Sequence, residues 1–402
     1  MRVLVLSKRQ YTGKDLLDDR YGRLYEIPAG LASRGHAVVG VALSYRRRNE
    51  GWYRDDTSQY PGSVRSADRV ADGFAGGTEL LSVDQLGVVW LGLNALPWGI
   101  WRYPQQLART AIGFQPDIVW ACSDAFHAII GALFSRATGV PLVIDLYDDF
   151  ESFAATRLLG VGPAFRAACR RAACLTVVSQ TLRDHVVATY GIRGTVTVIG
   201  NGIRRDLFYP RDCQQARANL GLPLDARLVG TAGAISADRD IATLFDAFLA
   251  LADSHPALHL VFAGPRDDTP ARYSHPRIID LGLLPLERVP ELISALDVAV
   301  VCNQDSAFGR HCFPLKFYEI IACGTPVVAA CIGDIATILA AEPKRLYRPG
   351  DTAGLARRIA EQMDTPRPIN ELVVPAWDDW SAIVERVLAT AVAGASSMPR
   401  LQ

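Results

Sequence analysis

The sequence predicts an α/β protein built from two domains, each around a parallel sheet, and three observations lead there. Short β-branched apolar runs alternate with helix-length segments along the whole chain, the order expected of βαβ units. Most of those runs, such as Leu142-Val-Ile-Asp145 and Val327-Val-Ala-Ala330, carry no polar alternation, as strands covered on both faces do. At 402 residues the chain is long for one core and ordinary for two.

The first half opens with strand Arg2–Ser7, a polar loop holding Gly13 and Gly22, helix Arg23–Arg34, and strand Ala37–Leu43 after Gly35-His36. Ligands of open α/β sheets sit beyond the carboxyl ends of the strands, so the loop of residues 7–22 is expected to face a cleft. Residues 45–80, rich in Arg, Asp, Gly and Ser, read as an excursion with little regular structure. The span Val88–Tyr103 holds three tryptophans and a tyrosine and is followed by Arg109. It is either an amphipathic element for a lipid headgroup layer or an ordinary core element. Strand Pro116–Cys122, helix Ala125–Thr138 with a structural His127, and strand Leu142–Asp145 follow. The run Tyr147-Asp148-Asp149-Phe150 then lies just past a strand end. Asp148 and Asp149 can orient or deprotonate an acceptor hydroxyl, or cap the next helix. Helix Ala164–Ala173, strand Cys174–Val178, helix Gln180–Tyr190 and strand Thr195–Ile199 complete this half. Asn201-Gly202 is a tight-turn signal, and the linker is placed at residues 202–212.

The second half restarts with strand Leu228–Ala232 and Gly233, continues through helix Ile241–Ser254, strand Leu258–Ala263 and Gly264, and reaches helix Leu286–Leu296. Strand Leu296–Cys302 then enters the stretch on which the function turns, Asn303 to Ala330. Pro314 fits the first position of a helix, leaving the N–H groups of Leu315, Lys316 and Phe317 at a positive helix end suited to a phosphate or diphosphate. Lys316 and Glu319 share a face, so a cation can meet phosphates while a carboxylate takes a hydroxyl pair; the alternative is a solvated ion pair. Only four lysines occur in the chain, at 8, 14, 316 and 344, which singles Lys316 out. Helices at 354–363 and 377–393 follow, and the tail from Ser396 is expected to be mobile.

The segment FPLKFYEIIACGTPVVA, residues 313–329, resembles the signature helix of the retaining glycosyltransferases of family 4. That resemblance implies the GT-B fold: two facing Rossmann-like domains (1–202 and 203–376), an interdomain cleft, and a C-terminal helix at 377–393 crossing back to the first domain on Trp377 and Trp380. It implies that Glu319 binds the ribose of a nucleotide sugar and that the helix start, with Phe313 and Leu315, holds the diphosphate. His311 stands where the family commonly has a second glutamate. The segment from Leu228 to Arg239 resembles the family's diphosphate-binding G-R-L…K stretch, with Ala234 in place of the arginine and Arg239 in place of the lysine; Gly233 belongs to it. By the same resemblance Gly264 lines the nucleotide site, Leu283 offers backbone contacts to the base, and Gly13 stands for the family's glycine pair near acceptor and donor phosphate. The Tyr147–Phe150 run resembles the D-D-F of a branch that shares the P-x-K-x-x-E helix.

Composition narrows the rest. Half the residues are apolar and the formal net charge is zero, so no nucleic-acid partner is expected. The first 200 residues carry 22 Lys and Arg against 18 Asp and Glu, a mildly basic half that suits an acidic acceptor or a membrane surface. Eight cysteines without a C-x-x-C read as free thiols in a reducing cytoplasm. No run is long enough to span a bilayer. The expectation is a cytoplasmic transferase, possible on the membrane periphery through residues 88–109, that moves a sugar with retention from a nucleoside diphosphate sugar to a glycan or lipid-linked acceptor in polysaccharide or glycolipid synthesis. Asp148, Asp149, Arg239 and Lys316 are the candidate catalytic groups, with no cofactor beyond the donor and no metal. The rivals are a nucleotide-sugar 2-epimerase of related fold and a silent GT-B scaffold.

Overall fold

The structure, a computed structural model, describes residues 1–11, 14–16, 20–45, 79–83, 87–96 and 99–397. Gly13 and Trp98 lie outside the described residues. The chain divides into two compact units, one of residues 1–200 with 377–402, the other of residues 201–376.

In the first unit, β1 (Arg2–Lys8) is followed by a small antiparallel pair, β2 (Gln10–Tyr11) and β3 (Lys14–Asp15), then by β4 (Ala37–Ser44), β5 (Glu79–Val83), β6 (Val89–Asn94), β7 (Ile118–Cys122), β8 (Leu142–Leu146), β9 (Cys174–Val177) and β10 (Thr195–Val198). The main sheet runs β10-β9-β8-β7-β1-β4-β6-β5, parallel except for β5 at its edge. Residues 46–78 lie outside the described residues, and Glu79 and Leu80 of the expected excursion open β5. Central strands are buried on both faces, which is why β1, β7 and β8 read as unbroken apolar runs.

The aromatic span of residues 88–103 is not one amphipathic element. Its first part is β6, where Trp90 is 1% exposed. The indole lies over Gly40 of β4, where a Cβ would come within 2.1 Å of the ring. Burial of a large indole in that slot is core packing, so this half of the proposed lipid contact is corrected. The second part belongs to helix Gly99–Phe114, on which Tyr103 is buried and Trp101 and Ile112 are exposed. No helix among the described residues is long and apolar enough to cross a membrane.

Helix Trp377–Ser397 belongs to the first unit, with Trp377 buried and Ser381 against Gly30 of helix Arg23–Ser33. A Cβ on Gly200 would come 2.7 Å from the Trp380 indole, so buried Trp377 and half-buried Trp380 both pack within this unit.

The second unit contains β11 (Arg227–Ala232), β12 (Leu258–Ala263), β13 (Ile278–Asp280), β14 (Val298–Val301), β15 (Val327–Ala330) and β16 (Leu346–Tyr347), all parallel in the order β13-β12-β11-β14-β15-β16. Leu244, Phe245 and Phe248 of helix Ile241–Ala252 pack with Leu355 and Ile359 in its core. The single helix expected over Leu286–Leu296 is instead a 3-10 turn, Leu286–Arg288, followed by helix Val289–Ala295 with Pro290 in its first turn. All eight cysteines are free; six are buried, Cys213 is half-buried and Cys331 exposed.

Candidate functional site

In the second unit β11 is flanked by β12 and β14, so the strand order reverses beside its carboxyl end. Loops diverge at such a point and leave room for a ligand. Gly233 follows β11 with φ 108°, and Gly264 follows β12 with φ 141°. A Cβ on Gly264 would lie 1.9 Å from the Gly233 carbonyl oxygen, so the two loops are in backbone contact there. The Gly233 N–H donates to Ala263 and the Gly264 N–H to Gly282, fixing both turns. Leu283, next along, is 73% exposed, at the far end of this glycine ledge.

Helix Leu315–Ala322 enters the same place from the other side of the sheet order. Pro314 is its N-cap, not its first helical residue: with φ −66° and ψ 111° it is still extended. Its carbonyl accepts from the Phe317 N–H at 3.0 Å, so the amide trio expected at the helix start is reduced to Leu315 and Lys316. The cap is held from behind. Asn201 Nδ2 donates to the Phe313 carbonyl at 2.8 Å, and the Phe313 ring packs against Tyr318 at 4.7 Å.

Lys316 reaches back toward the glycine ledge. Its Cε and Nζ lie 3.3 Å from where a Cβ on Gly233 would be, so the missing side chain gives the ammonium its room. Burial lowers the Lys316 pKa to about 8; repulsion from Arg239 adds to this, and Cys302 and Glu319 oppose it. Arg239 ends the turn Ala237–Arg239, its guanidinium 4.4 Å from the centre of the Phe308 ring. Lys316 and Arg239 thus act on one another as like charges, a repulsion that an anion between them would relieve. Glu319, one turn beyond Lys316, is 8% exposed, so it is not the solvated ion-pair partner of the bland alternative.

The loop after β14 is more ordered than its polarity suggests. Ser306 caps a short helix, Ala307–His311, by accepting from the Gly309 N–H. Buried Asn303 donates to the Gly309 carbonyl and the Cys312 sulfur. His311 ends this helix and is half-buried.

In the first unit the sheet order reverses between β1 and β7, and a second polar cluster sits at those strand ends. The Lys8 N–H donates to Ser123 Oγ at 2.8 Å, joining the two ends. The Lys8 ammonium lies 5.6 Å from the Tyr147 ring and 5.7 Å from Phe153; burial lowers its pKa, while Asp124 and Asp148 oppose the shift. Burial alone would raise the Asp124 carboxyl, but bonds from His127 and the charge of Lys8 hold it at about 2. Tyr45 also donates to Asp124. Asp149 takes the capping alternative, accepting from the Glu151 N–H at the start of turn Phe150–Ser152. Asp148, equally buried, acts by its charge on Lys8 alongside the larger effect of Asp124.

Within the second unit, then, the structure brings Gly233, Gly264, Arg239, Lys316, Glu319 and the cap at Phe313 together, with Leu283 at the margin. Lys8, Asn201 and Asn303 were not singled out beforehand.

Residues 23–207 match the family Glycosyltransferase Family 4, and residues 226–365 match Glycosyl transferases group 1. The D-inositol 3-phosphate glycosyltransferase 1 of Catenulispora acidiphila is 31% identical over 309 residues, covering 67% of this chain and 71% of that protein. The 2-deoxystreptamine N-acetyl-D-glucosaminyltransferase of Streptomyces fradiae is 25% identical over 288 residues, covering 66% and 67%. Among solved structures, the sucrose-phosphate synthase of Thermosynechococcus elongatus superposes with a TM-score of 0.75 at 17% identity over 98% of this chain and 99% of that one. Anabaena HepE in complex with UDP-glucose gives 0.64 at 19% identity, over 98% of each chain. These structural likenesses show the GT-B fold, and the family models together with the Catenulispora relative make the chain a member of glycosyltransferase family 4.

Proposed function

We propose that the protein transfers a sugar, with retention, from a nucleoside diphosphate sugar to a hydroxyl of a glycan or lipid-linked acceptor. The observation that carries the reading is the Lys316 ammonium, held against Gly233 within range of Arg239 at a helix start. The diphosphate binds the two cations and the amides of Leu315 and Lys316, and Glu319 takes the ribose hydroxyls. The bond from the anomeric carbon to the diphosphate oxygen breaks, leaving its electron pair on the diphosphate. The acceptor oxygen bonds to that carbon and its proton passes to the departing phosphate oxygen, so no protein nucleophile is assigned. The protein's part is electrostatic stabilisation of the leaving group. Solved GT-B neighbours bound to UDP, to UDP-glucose and to glucose-6-phosphate support the pairing of such a donor with a polar acceptor. In the first unit, Lys8 and Asp148 are the groups assigned to the acceptor.

Melting the protein with UDP, GDP and ADP in turn tests the donor. The right nucleotide at about 100 times its dissociation constant stabilises by about 2.7 kcal/mol. A melting curve that none of the three moves would contradict the reading. Labelled nucleotide sugar incubated with a lipid extract then separates transfer from binding without turnover.

The Lys316 pKa sets a pH dependence. The binding form is the ammonium, half titrated at about pH 8, fully present only a pH unit or more below that, and lost as pH rises through it. Nucleoside diphosphate affinity is therefore expected to decline as pH rises through about 8, by at most about tenfold per unit above it. Isothermal titration across that range measures it, and an affinity level to pH 10 would remove Lys316 from the site.

A further inference from the structure

Between Glu151 and Asp184 the chain carries five arginines, at 157, 166, 170, 171 and 183, and no acidic residue. The first part of this stretch folds as turn Ala154–Arg157, a two-leucine step, and helix Val161–Arg171. Phe165, Ala168 and Cys169 pack this helix on the core, which leaves Arg166, Arg170 and Arg171 on its exposed side. Arg157, Arg166 and Arg170, with Thr156 and Glu151, line a pocket of about 530 Å³. Glu151 takes both bonds of a bidentate pair with Arg166, at 2.6 and 2.9 Å, so the lining keeps the charge of the other two arginines in excess. Against this cationic collar stand Leu158 and Leu159, 65% and 105% exposed. Folding buries neither.

We propose that this face of the first unit docks on an anionic phospholipid surface, with a lipid phosphate in the arginine pocket and Leu158 and Leu159 entering the acyl boundary. The charge and the apolar tip ask for the same occupant. A soluble phosphate would satisfy the pocket and leave two adjacent leucines in water. A lipid leaflet meets both, because its phosphates lie directly above its hydrocarbon. The inference is independent of the donor site, which lies in the other unit.

Sedimentation of the full chain with phosphatidylcholine vesicles, with and without phosphatidylglycerol, tests it. The wild-type protein is expected to bind only the vesicles that contain phosphatidylglycerol, and to release as salt is raised. The variants Leu158→Ser/Leu159→Ser and Arg157→Gln/Arg170→Gln each weaken binding at least about tenfold. Arg170 also donates to the Tyr190 carbonyl, so the arginine variant is checked by its melting temperature. The leucine variant changes two exposed side chains and carries the test alone if the other misfolds. Equal binding to neutral vesicles, or unchanged binding by the leucine variant, overturns the proposal. So does stabilisation by inorganic phosphate without any vesicle binding, which would give the pocket to a soluble anion.

Discussion

Lys316→Met lowers kcat/KM for sugar transfer by about two to three orders of magnitude, the usual loss when one preorganised donor to a developing oxyanion is removed. Because the charge on the diphosphate grows as the bond to the sugar breaks, kcat falls along with kcat/KM, where a pure binding contact would move KM alone. The folded protein without ligand is not weakened by this change. Burial and the nearby Arg239 already disfavour the ammonium, and a methionine in its place removes that conflict. Lys316→Arg does not restore full activity, because the slot beside Gly233 is fitted to an ammonium 3.3 Å from the missing Cβ and a planar guanidinium is wider. Steady-state kinetics with a saturating acceptor, beside a melting curve, measure all three outcomes. An unchanged kcat in the methionine variant would remove Lys316 from the chemistry.

What the sequence made legible about this site was local. The apolar run ending at β14, the proline before an apolar helix and the three-residue spacing of Lys316 and Glu319 are all short-range signals, and each identifies its element. The approach of Lys316 to Gly233 spans 83 positions and has no periodicity to announce it; only resemblance to a family put the two together. Asn201 and Asn303 act by bonding backbone carbonyls at Phe313 and Gly309, and an asparagine near a turn gives no sign of its distant acceptor. Lys8 did carry a signal, the same scarcity of lysine that marked Lys316. Trp90 was ambiguous for a different reason: a continuous apolar run has no period, and what decides between buried strand and surface element is Gly40 on the neighbouring strand. Pro314 is displaced by one residue from its expected place because the amide of Phe317 closes on its carbonyl, a detail of cap geometry below the resolution of sequence patterns.

Asp145→Asn in the first unit destabilises the protein by about 3–5 kcal/mol, the range for breaking a buried ion pair from one side. Arg23, 3% exposed at the start of helix Arg23–Ser33, binds fully buried Asp145 of β8 through Nε at 2.8 Å and Nη2 at 2.6 Å. Its remaining Nη1 donates to the Gly200 carbonyl at 2.8 Å and also to that of Ile199, and Thr176 of β9 donates to the same aspartate. One guanidinium thus joins a helix, two strands and the segment that follows β10, with every polar atom of the pair matched. An asparagine keeps the shape but turns an accepting oxygen into a donor facing the guanidinium, leaving a buried charge uncompensated. For a unit of this size the unfolding midpoint drops on the order of 10 °C. Arg23→Met alone strands the aspartate and costs a similar amount, whereas Arg23→Met/Asp145→Leu removes both charges and loses less than the sum of the single changes. Thermal melts of the three variants give the coupling directly. Thr176, Ile199 and Gly200, the bonded partners of the pair, all belong to the first unit. If the double variant were as unstable as the two single changes added together, the pair would be two separate packing contacts and not one charged joint.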